Sequence, residues 1–459
     1  MDAIEKFFTW LNGYLWGPPM LVILFGTHLY LTFRLKIIQR YIPLAIKLSF
    51  SRKKEGEGDV SQFGALTTAL AATIGTGNIV GVATAVALGG PGAVLWCWLT
   101  GVFGIATKYA EAVLAVKYRV KTSDGTMLGG PMYALERGLR MKWAGVAFAV
   151  FTAIAAFGIG NTVQANSIAT MAHEVGHISP WVSGLVMTVL TAVVILGGIK
   201  SIARVCEGLV PFMAIFYIAG CLFILCKGAA DLPGTLALIV KAAFTGKAVA
   251  GGAAGAAIMT AARYGIARGL FSNESGLGSA PIVAAAAKTC NPVRQALVSS
   301  TGTFWDTVVV CAMTGLVLVN TGVWKSGLQG AALTKAAFEH IPTVGPVVLA
   351  VGLFTFVFST VLGWSYYGEK AVEYLFGKRA IKPYRWLWVL AVMIGSVTSL
   401  PVVWNFADAA NALMALPNLL ALLLLSGVVV AETKRYLWDD NLDGTTPQTA
   451  EESAVPEVV

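Results

Sequence analysis

Charged side chains are scarce in this sequence. Asp, Glu, Lys and Arg make up only 12% of its 459 residues, whereas 56% are hydrophobic and the mean hydropathy is +0.72. Soluble domains of average composition carry about 25% charged residues. The composition therefore excludes an ordinary soluble protein, and the long apolar runs predict an all-α polytopic membrane protein.

Cysteine is sparse, and its spacing follows no known pattern. None of the six cysteines belongs to a C-x-x-C pair, which argues against a zinc knuckle and against a disulfide framework. We therefore expect buried thiols that act as small hydrophobic side chains at Cys97, Cys206, Cys221, Cys226, Cys290 and Cys311. The N-terminal segment also lacks a basic start and a small-residue cleavage site, so no removable signal peptide is expected.

Basic residues outnumber acidic ones, but their positions do not suit a nucleic-acid partner. The net charge is +9, and the Lys and Arg residues lie between the apolar segments, mostly on one side of the predicted membrane. The cluster from Lys36 to Lys54 follows the first apolar segment and should be cytoplasmic by the positive-inside rule. The expected partner is therefore a lipid bilayer, with the N-terminus outside and the C-terminus in the cytoplasm. The sequence leaves the oligomeric state open.

Apolar segments of helical length predict about eleven membrane spans, preceded by an interfacial helix at residues 3–14. The spans are placed at 16–35, 62–88, 92–116, 143–171, 181–199, 206–226, 251–289, 295–319, 344–367, 385–401 and 404–430. Residues 1–60 then contain the interfacial helix, an extra transmembrane helix and a basic cytoplasmic loop. Residues 432–459 are polar and predict a disordered cytoplasmic tail.

Two of these spans are interrupted by residues that form poor helices. The first contains Gly75-Thr-Gly-Asn78 and the second contains Ser272-Asn-Glu-Ser275 with four nearby glycines. Unwound backbone survives within a membrane only where it faces protein or a wet cavity. The interrupted helices begin two groups of five spans, residues 61–248 with an outer loop and residues 249–431. An odd number of helices per group inverts the second group, and such a 5+5 inverted repeat is typical of secondary transporters. Two kinked structural helices are the alternative.

The interruptions carry chemistry that suits an amino acid. The N-terminal end of a half-helix offers free N–H groups and positive dipole charge to a carboxylate, and glycine lets a ligand approach the backbone. Candidate substrate-binding residues are Gly75, Thr76, Gly77, Asn78, Gln164, Phe271, Ser272, Asn273 and Trp364. Gln164 shares a helical face with Phe157 and Asn161, and it either binds the substrate or bonds across helices. Phe271 and Trp364 would either close a small pocket or serve as core aromatics.

Several long motifs resemble the alanine/glycine:cation symporters. They are Ala71–Gly81, Gly129–Tyr133, Arg268–Pro281, Phe304–Thr307 and Phe358–Glu369, spread over residues 60–430. The resemblance implies a leucine-transporter-type fold in the inner membrane. It also implies sodium-coupled uptake of alanine or glycine by alternating access, without any other cofactor. Alanine and glycine, and the L and D isomers, are not distinguished.

The resemblance also implies positions for the coupling ion. Ala71 and Ile74 would supply backbone carbonyls to one sodium ion, and Ser359 and Thr360 would supply hydroxyls. Oxygen ligands suit such a hard cation. Thr73 and Asn78 occupy the positions of a second sodium site. The alternative for Ser359 and Thr360 is hydrogen bonding to their own helix.

Two further signals are charged residues inside the predicted spans. Glu274 is an intramembrane carboxylate that could bind an ammonium or carry a proton, but a structural role is favoured, either capping a half-helix or pairing with Arg263 or Arg268. With Glu274 titrating, the alternative function is proton-coupled transport of another small neutral amino acid. Lys108 and Glu111 are three residues apart and predict a local ion pair.

A motif of another class is present at residues 173–177. His173-Glu-Val-Gly-His177 matches the H-E-x-x-H signature of zinc metalloproteases, which requires a helix to place both histidines on one face. Gly176 interrupts the motif, and Ser179 and Pro180 follow directly. We therefore expect a transporter and not an enzyme, with an intramembrane protease as the remote alternative.

Overall fold

The computed structural model describes residues 2–51, 56–245, 254–398 and 400–445 and consists mainly of helices. Up to residue 245 the α-helices are α1 (Asp2–Leu15), α2 (Pro18–Arg34), α3 (Ile42–Ser49), α4 (Gln62–Thr73), α5 (Val82–Gly89), α6 (Gly92–Lys117), α7 (Pro131–Tyr133), α8 (Lys142–Phe157), α9 (Val163–Gly176), α10 (Pro180–Ile195), α11 (Gly198–Lys227) and α12 (Leu232–Phe244). From residue 254 they are α13 (Ala254–Asn273), α14 (Pro281–Ala284), α15 (Pro292–Thr303), α16 (Ala312–Asn320), α17 (Gly330–Phe338), α18 (Gly345–Phe376), α19 (Ile381–Val397), α20 (Leu400–Leu424) and α21 (Ser426–Thr433).

Shorter elements connect these helices. The π-helical turns are Gly77–Gly81, Ala134–Gly138, Gly158–Thr162, Phe304–Cys311 and Lys434–Trp438, and the 3₁₀ turns are Ile38–Tyr41, Ala229–Asp231, Val323–Lys325 and Lys378–Ala380. Strands β1 (Val120–Lys121) and β2 (Met127–Leu128) form an antiparallel hairpin in which Val120 pairs with Leu128. The π-helical turn Phe304–Cys311 joins α15 to α16 within one long helix.

Each predicted span coincides with a helix or with an interrupted helix of the described residues. Within the described residues, five helices are long and apolar enough to cross a membrane by themselves, and three bent pairs raise the number to as many as eight. The pair Gln62–Thr73 and Gly77–Gly89 bends by 48° at the predicted first interruption. A mostly helical, multi-pass fold is therefore confirmed. The count of eleven, the inverted repeat and the leucine-transporter-type fold stay predictions, and residues 251–253 of the seventh span lie outside the described residues.

Helix α18 packs closely on two neighbours because a glycine lies at each contact. A Cβ at Gly363 would lie 2.7 Å from the backbone nitrogen of Ala72 on α4, and a Cβ at Gly160 would lie 2.1 Å from the Cβ of Trp364. Either position therefore requires glycine. These close contacts bring one face of α18 against the end of α4 and place Trp364 beside the π-helical turn that follows α8.

A short backbone bridge, here called the inner bridge, joins residues 56–60 before α4 to residues 286–289 after α14. Asp59 and Val60 donate their amides to the Ala286 carbonyl at 2.8 and 3.2 Å, and the Lys288 amide donates to the Val60 carbonyl at 2.8 Å. Arg119 donates to the carbonyls of Ala285, Ala287 and Glu57 at 2.9–3.1 Å. The start of the first interrupted helix and the end of the second are therefore tied together.

Three peripheral predictions need correction. The outer loop predicted at 228–248 contains α12, which packs on α6, whereas residues 246–248 lie outside the described residues. The predicted disordered tail begins with helical residues 432–438, and its residues 446–459 lie outside the described range. Among the cysteines, Cys97, Cys206, Cys221 and Cys311 are buried as expected, but Cys226 is exposed and Cys290 is half-buried.

Candidate functional site

The first interruption leaves the helix because its amides find other acceptors. The Gly75 amide donates to Asn78 Oδ1 at 2.8 Å instead of to the Ala71 carbonyl four residues earlier. The Asn78 amide donates to the Gly75 carbonyl at 3.3 Å instead of to the Ile74 carbonyl. Two carbonyls at the end of α4 therefore lose their helical amide partners.

The same two carbonyls meet hydroxyl groups of α18. Ser359 Oγ lies 3.3 Å from the Ala71 carbonyl oxygen, and Thr360 Oγ1 lies 3.2 Å from that of Ile74. The structure thus brings all four predicted sodium residues together. Both hydroxyls also donate to the Phe356 carbonyl, at 2.8 and 2.9 Å, so the alternative of bonding within the helix is present beside the predicted arrangement.

The two residues of the predicted second sodium site have different surroundings. The Thr73 hydroxyl donates to carbonyls of its own helix, those of Ala69 and Leu70, and lines a small cavity with Lys108. Asn78 instead donates through Nδ2 to Asp306 Oδ1 at 2.7 Å. The second sodium site stays a prediction, because Thr73 and Asn78 bond to different groups and share none.

The second interruption turns the chain through three left-handed residues. Glu274, Gly276 and Gly278 have φ values of 56°, 90° and 83°, which end α13 before α14 begins. Glutamate rarely adopts such a conformation, whereas glycine does so without strain. The amides of Gly276 and Gly278 have no helical partner in this turn, and they need acceptors because they are buried in the protein.

Glu111 of α6, and not Glu274, accepts these amides. Its Oε1 atom accepts from the amides of Gly276 and Gly278 at 2.9 and 3.1 Å and from Asn418 Nδ2 at 2.7 Å. The predicted ion pair between Lys108 and Glu111 is therefore wrong: Lys108 Nζ is buried without a hydrogen-bond partner in the part of the chain that the structure describes. The capping role predicted for Glu274 belongs to Glu111.

Glu274 has other partners. It accepts from the Ser279 hydroxyl at 2.5 Å and from Trp364 Nε1 at 2.8 Å. Arg268 lies 3.7 Å from Asp408. Among the described residues no ion pair joins Glu274 to Arg263 or to Arg268, so the predicted pairing is wrong. Glu274 therefore holds the indole of Trp364 in place across the second interruption.

The predicted pocket residues do not all face one another. Gln164 Oε1 lies 3.4 Å from the Thr76 amide, and a Cβ at Gly77 would lie 3.3 Å from the Phe271 ring, so these positions border the first interruption. Phe157 and Asn161 instead contact Trp388. Two polar atoms beside the interruptions, Thr76 Oγ1 and Asn273 Nδ2, are buried without a protein partner among the described residues.

Sequence reasoning missed Asp306. Its carboxylate is fully buried and accepts from Asn78 Nδ2, from Ser272 Oγ at 2.9 Å and from Thr307 Oγ1 at 2.6 Å. The sequence contains a signal for it, because an ionisable residue inside a span is functional by default and Asp306 lies in the motif Phe304–Thr307.

Comparison with known proteins decides the family. Residues 1–451 match the family described as the sodium:alanine symporter family. The chain belongs to this family. The symporter is 54% identical to the sodium/alanine symporter AgcS of Methanococcus maripaludis over 447 residues, which cover 95% of this chain and 98% of that protein. It is 50% identical to an uncharacterized transporter of Haemophilus influenzae, over 95% of this chain and 96% of that protein. It is 37% identical to the amino-acid carrier protein AlsT of Bacillus subtilis, over 94% of this chain and 93% of that protein.

Family membership makes this symporter a transport protein and not an enzyme, which removes the protease alternative. The geometry at the H-E-x-x-H match agrees. Helix α9 ends at Gly176, and His177 adopts a left-handed conformation with φ of 52°. The two histidines therefore do not share a helical face, as that signature requires.

Proposed function

We propose that this symporter couples the inward movement of sodium to the uptake of alanine, glycine or both across the plasma membrane, by alternating access. The observation that carries the proposal is the pairing of two α18 hydroxyls with two carbonyls at the end of α4. Membership of the sodium:alanine symporter family supports it. The proposed orientation has the N-terminus outside and the C-terminus in the cytoplasm, as the basic loops favour.

The proposed sodium site lies between α4 and α18. The carbonyls of Ala71 and Ile74 have lost their helical amides, and the hydroxyls of Ser359 and Thr360 lie 3.2–3.3 Å from them. A cation between these groups would receive only oxygen ligands, the kind that a hard ion prefers. Sodium would thereby join an interrupted helix to a continuous one.

The proposed substrate site adjoins it at the first interruption. The substrate carboxylate would bind the amides that begin the second half-helix, where the helix dipole favours negative charge. Within the described part of the chain, the hydroxyl of Thr76 and the amide nitrogen of Asn273 are buried donors without a protein partner, and both would gain one from a bound zwitterion. Phe271 and Trp364 would limit the pocket to a small side chain.

Uptake into proteoliposomes tests this function. Labelled alanine and glycine are offered under an inward sodium gradient or an inward proton gradient at equal membrane potential. Sodium-dependent accumulation of either substrate is expected. Accumulation with protons alone would contradict sodium coupling and favour proton-coupled transport. Accumulation under neither gradient would contradict the substrate assignment.

A matched pair of variants tests the sodium site. Thr360→Ala removes one proposed ligand, so the sodium concentration for half-maximal uptake should rise about tenfold. Thr355→Ala is the control, because its hydroxyl bonds only to carbonyls of α18 itself. Equal sodium dependence in both variants would contradict the proposed site.

A further inference from the structure

Asp306 is a carboxylate for which neither the proposed sodium site nor the proposed substrate site has a use. It lies in the π-helical turn between α15 and α16 and is fully buried. Burying a charge in a membrane span costs several kcal/mol unless donors surround it. Its donors come from three different places in the chain.

Two of those donors belong to the two interrupted helices. Asn78 of the first donates to Oδ1 at 2.7 Å, and Ser272 at the end of α13 donates to Oδ2 at 2.9 Å. The third donor is the neighbouring Thr307. One carboxylate therefore joins both interruptions.

The Asn78 side chain connects Asp306 to the backbone of the first interruption. Its amide nitrogen can only donate and its amide oxygen can only accept, so its orientation is fixed when Asp306 accepts at one end and the Gly75 amide donates at the other. A side chain at position 306 with a weaker acceptor would loosen this constraint, and one without an acceptor would remove it.

The position of the Gly75 amide decides what happens at Ala71. In a continuous helix that amide would bond the Ala71 carbonyl, which could then no longer turn toward a cation. The contacts from Asp306 through Asn78 to Gly75 keep the Gly75 amide away from the Ala71 carbonyl. Asp306 thereby controls a carbonyl that it does not touch.

We propose that Asp306 is a positioning residue for the cation site: through Asn78 it keeps the Ala71 carbonyl available to sodium, and through Ser272 it ties α13 to that same arrangement. The inference rests on the proposed function, because it presupposes sodium between α4 and α18. Asp306 is not itself a ligand of the ion in this arrangement. Through Ser272, which adjoins Phe271, it links the cation site to the wall of the substrate pocket.

The test exchanges the carboxylate and the amide between positions 306 and 78. Asp306→Asn replaces a charged acceptor, which takes donors on both oxygens, with a neutral amide that has a single, weaker acceptor oxygen. Asn78→Asp places two carboxylates together, which repel each other. Each single variant should raise the sodium concentration for half-maximal alanine uptake at least tenfold. The double variant with Asn78→Asp and Asp306→Asn restores a carboxylate facing an amide. It should recover a sodium requirement within about threefold of the original protein's.

A second readout does not depend on transport. Sodium that binds only the folded protein raises its stability by RT ln(1 + [Na⁺]/Kd), so a weaker site gives a smaller rise in Tm at the same sodium concentration. At a fixed sodium concentration, the rise in Tm should therefore be smaller in both single variants and recover in the double variant. Thr314→Val is the control: Thr314 lies on the same long helix as Asp306, and its loss removes a buried hydrogen bond to Tyr217 of α11 without touching either interruption.

The outcomes separate this inference from the proposed function. If the original protein shows no sodium dependence, the proposed function fails and the inference fails with it. If the original protein depends on sodium but Asp306→Asn does not alter that dependence, only the inference is overturned. If the single variants do not fold and the double variant does not recover, the exchange has failed and the positioning role is likewise overturned.

Discussion

Gly75 lies where the first interruption approaches α18 most closely. An added Cβ would be 2.5 Å from the Thr360 hydroxyl oxygen and 3.3 Å from Gln164 Oε1. Gly75→Ala should therefore displace a proposed sodium ligand and raise the sodium concentration for half-maximal uptake about tenfold or more. Gly81→Ala in the same span is the control, because its Cβ would meet no atom closer than 3.9 Å. Similar sodium dependence in the two variants would contradict the close approach.

Glu111 is the second residue whose removal has a specific expected effect. Glu111→Ala leaves the amides of Gly276 and Gly278 buried without an acceptor, which should lower the free energy of unfolding by about 3 kcal/mol. Glu111→Gln keeps an acceptor oxygen and should lose less. Denaturant unfolding of the detergent-solubilised protein measures both.

The control for Glu111 is an exposed glutamate. Glu57 pairs with Lys121 at 2.8 Å, and about half of each side chain is exposed, so Glu57→Gln should cost under about 1 kcal/mol. If Glu111→Ala is no more destabilising than Glu57→Gln, the amides of the second interruption do not depend on Glu111.

At the scale of elements, the inner bridge ties the start of the first interrupted helix to the end of the second. Arg119 holds three carbonyls with a planar guanidinium, a geometry that lysine cannot reproduce. Arg119→Lys should loosen the bridge and increase the labelling rate of Cys290, which adjoins Thr289, several-fold. The measurement uses a polar thiol reagent on inside-out vesicles, in a Cys226→Ser background that removes the exposed cysteine.

A neighbouring lysine supplies the control for the inner bridge. Lys121→Gln removes only an exposed ion pair and should leave the labelling rate of Cys290 unchanged. If Arg119→Lys gives the same rate as Lys121→Gln, the guanidinium does not hold the bridge closed.

The positions of both interruptions could be predicted from the sequence because their cause is local. Glycines and polar residues inside an apolar span are visible without any tertiary information. The acceptors of their amides could not be predicted in this way. Glu111 and Gly276 are 165 positions apart, and only folding brings them together. The sequence offers Glu274 as one candidate for that role, whereas in the structure Glu274 accepts from Ser279 and Trp364.

The sodium residues show a different limit. The unwound end of α4 could be located from its own residues, but Ser359 and Thr360 were paired with it through the family resemblance. No periodicity in the sequence joins positions 288 residues apart, such as Ala71 and Ser359. Asp306 was missed for the same reason: its motif was recognised, but its contacts with Asn78 and Ser272 arise only from the packing of three separate spans.

For the whole molecule, the number of crossings determines where the termini lie. Eleven spans would place them on opposite sides of the membrane, whereas the eight spans that length and apolarity alone allow would place them on the same side. We expect an N-terminal epitope tag to be accessible on intact cells and a C-terminal tag only after permeabilisation, as the basic loops indicate. Antibody labelling of both tags before and after permeabilisation measures this. Labelling of both tags on the same side of the membrane would contradict an odd number of spans. It would thereby also contradict an arrangement of one extra span followed by two inverted groups of five.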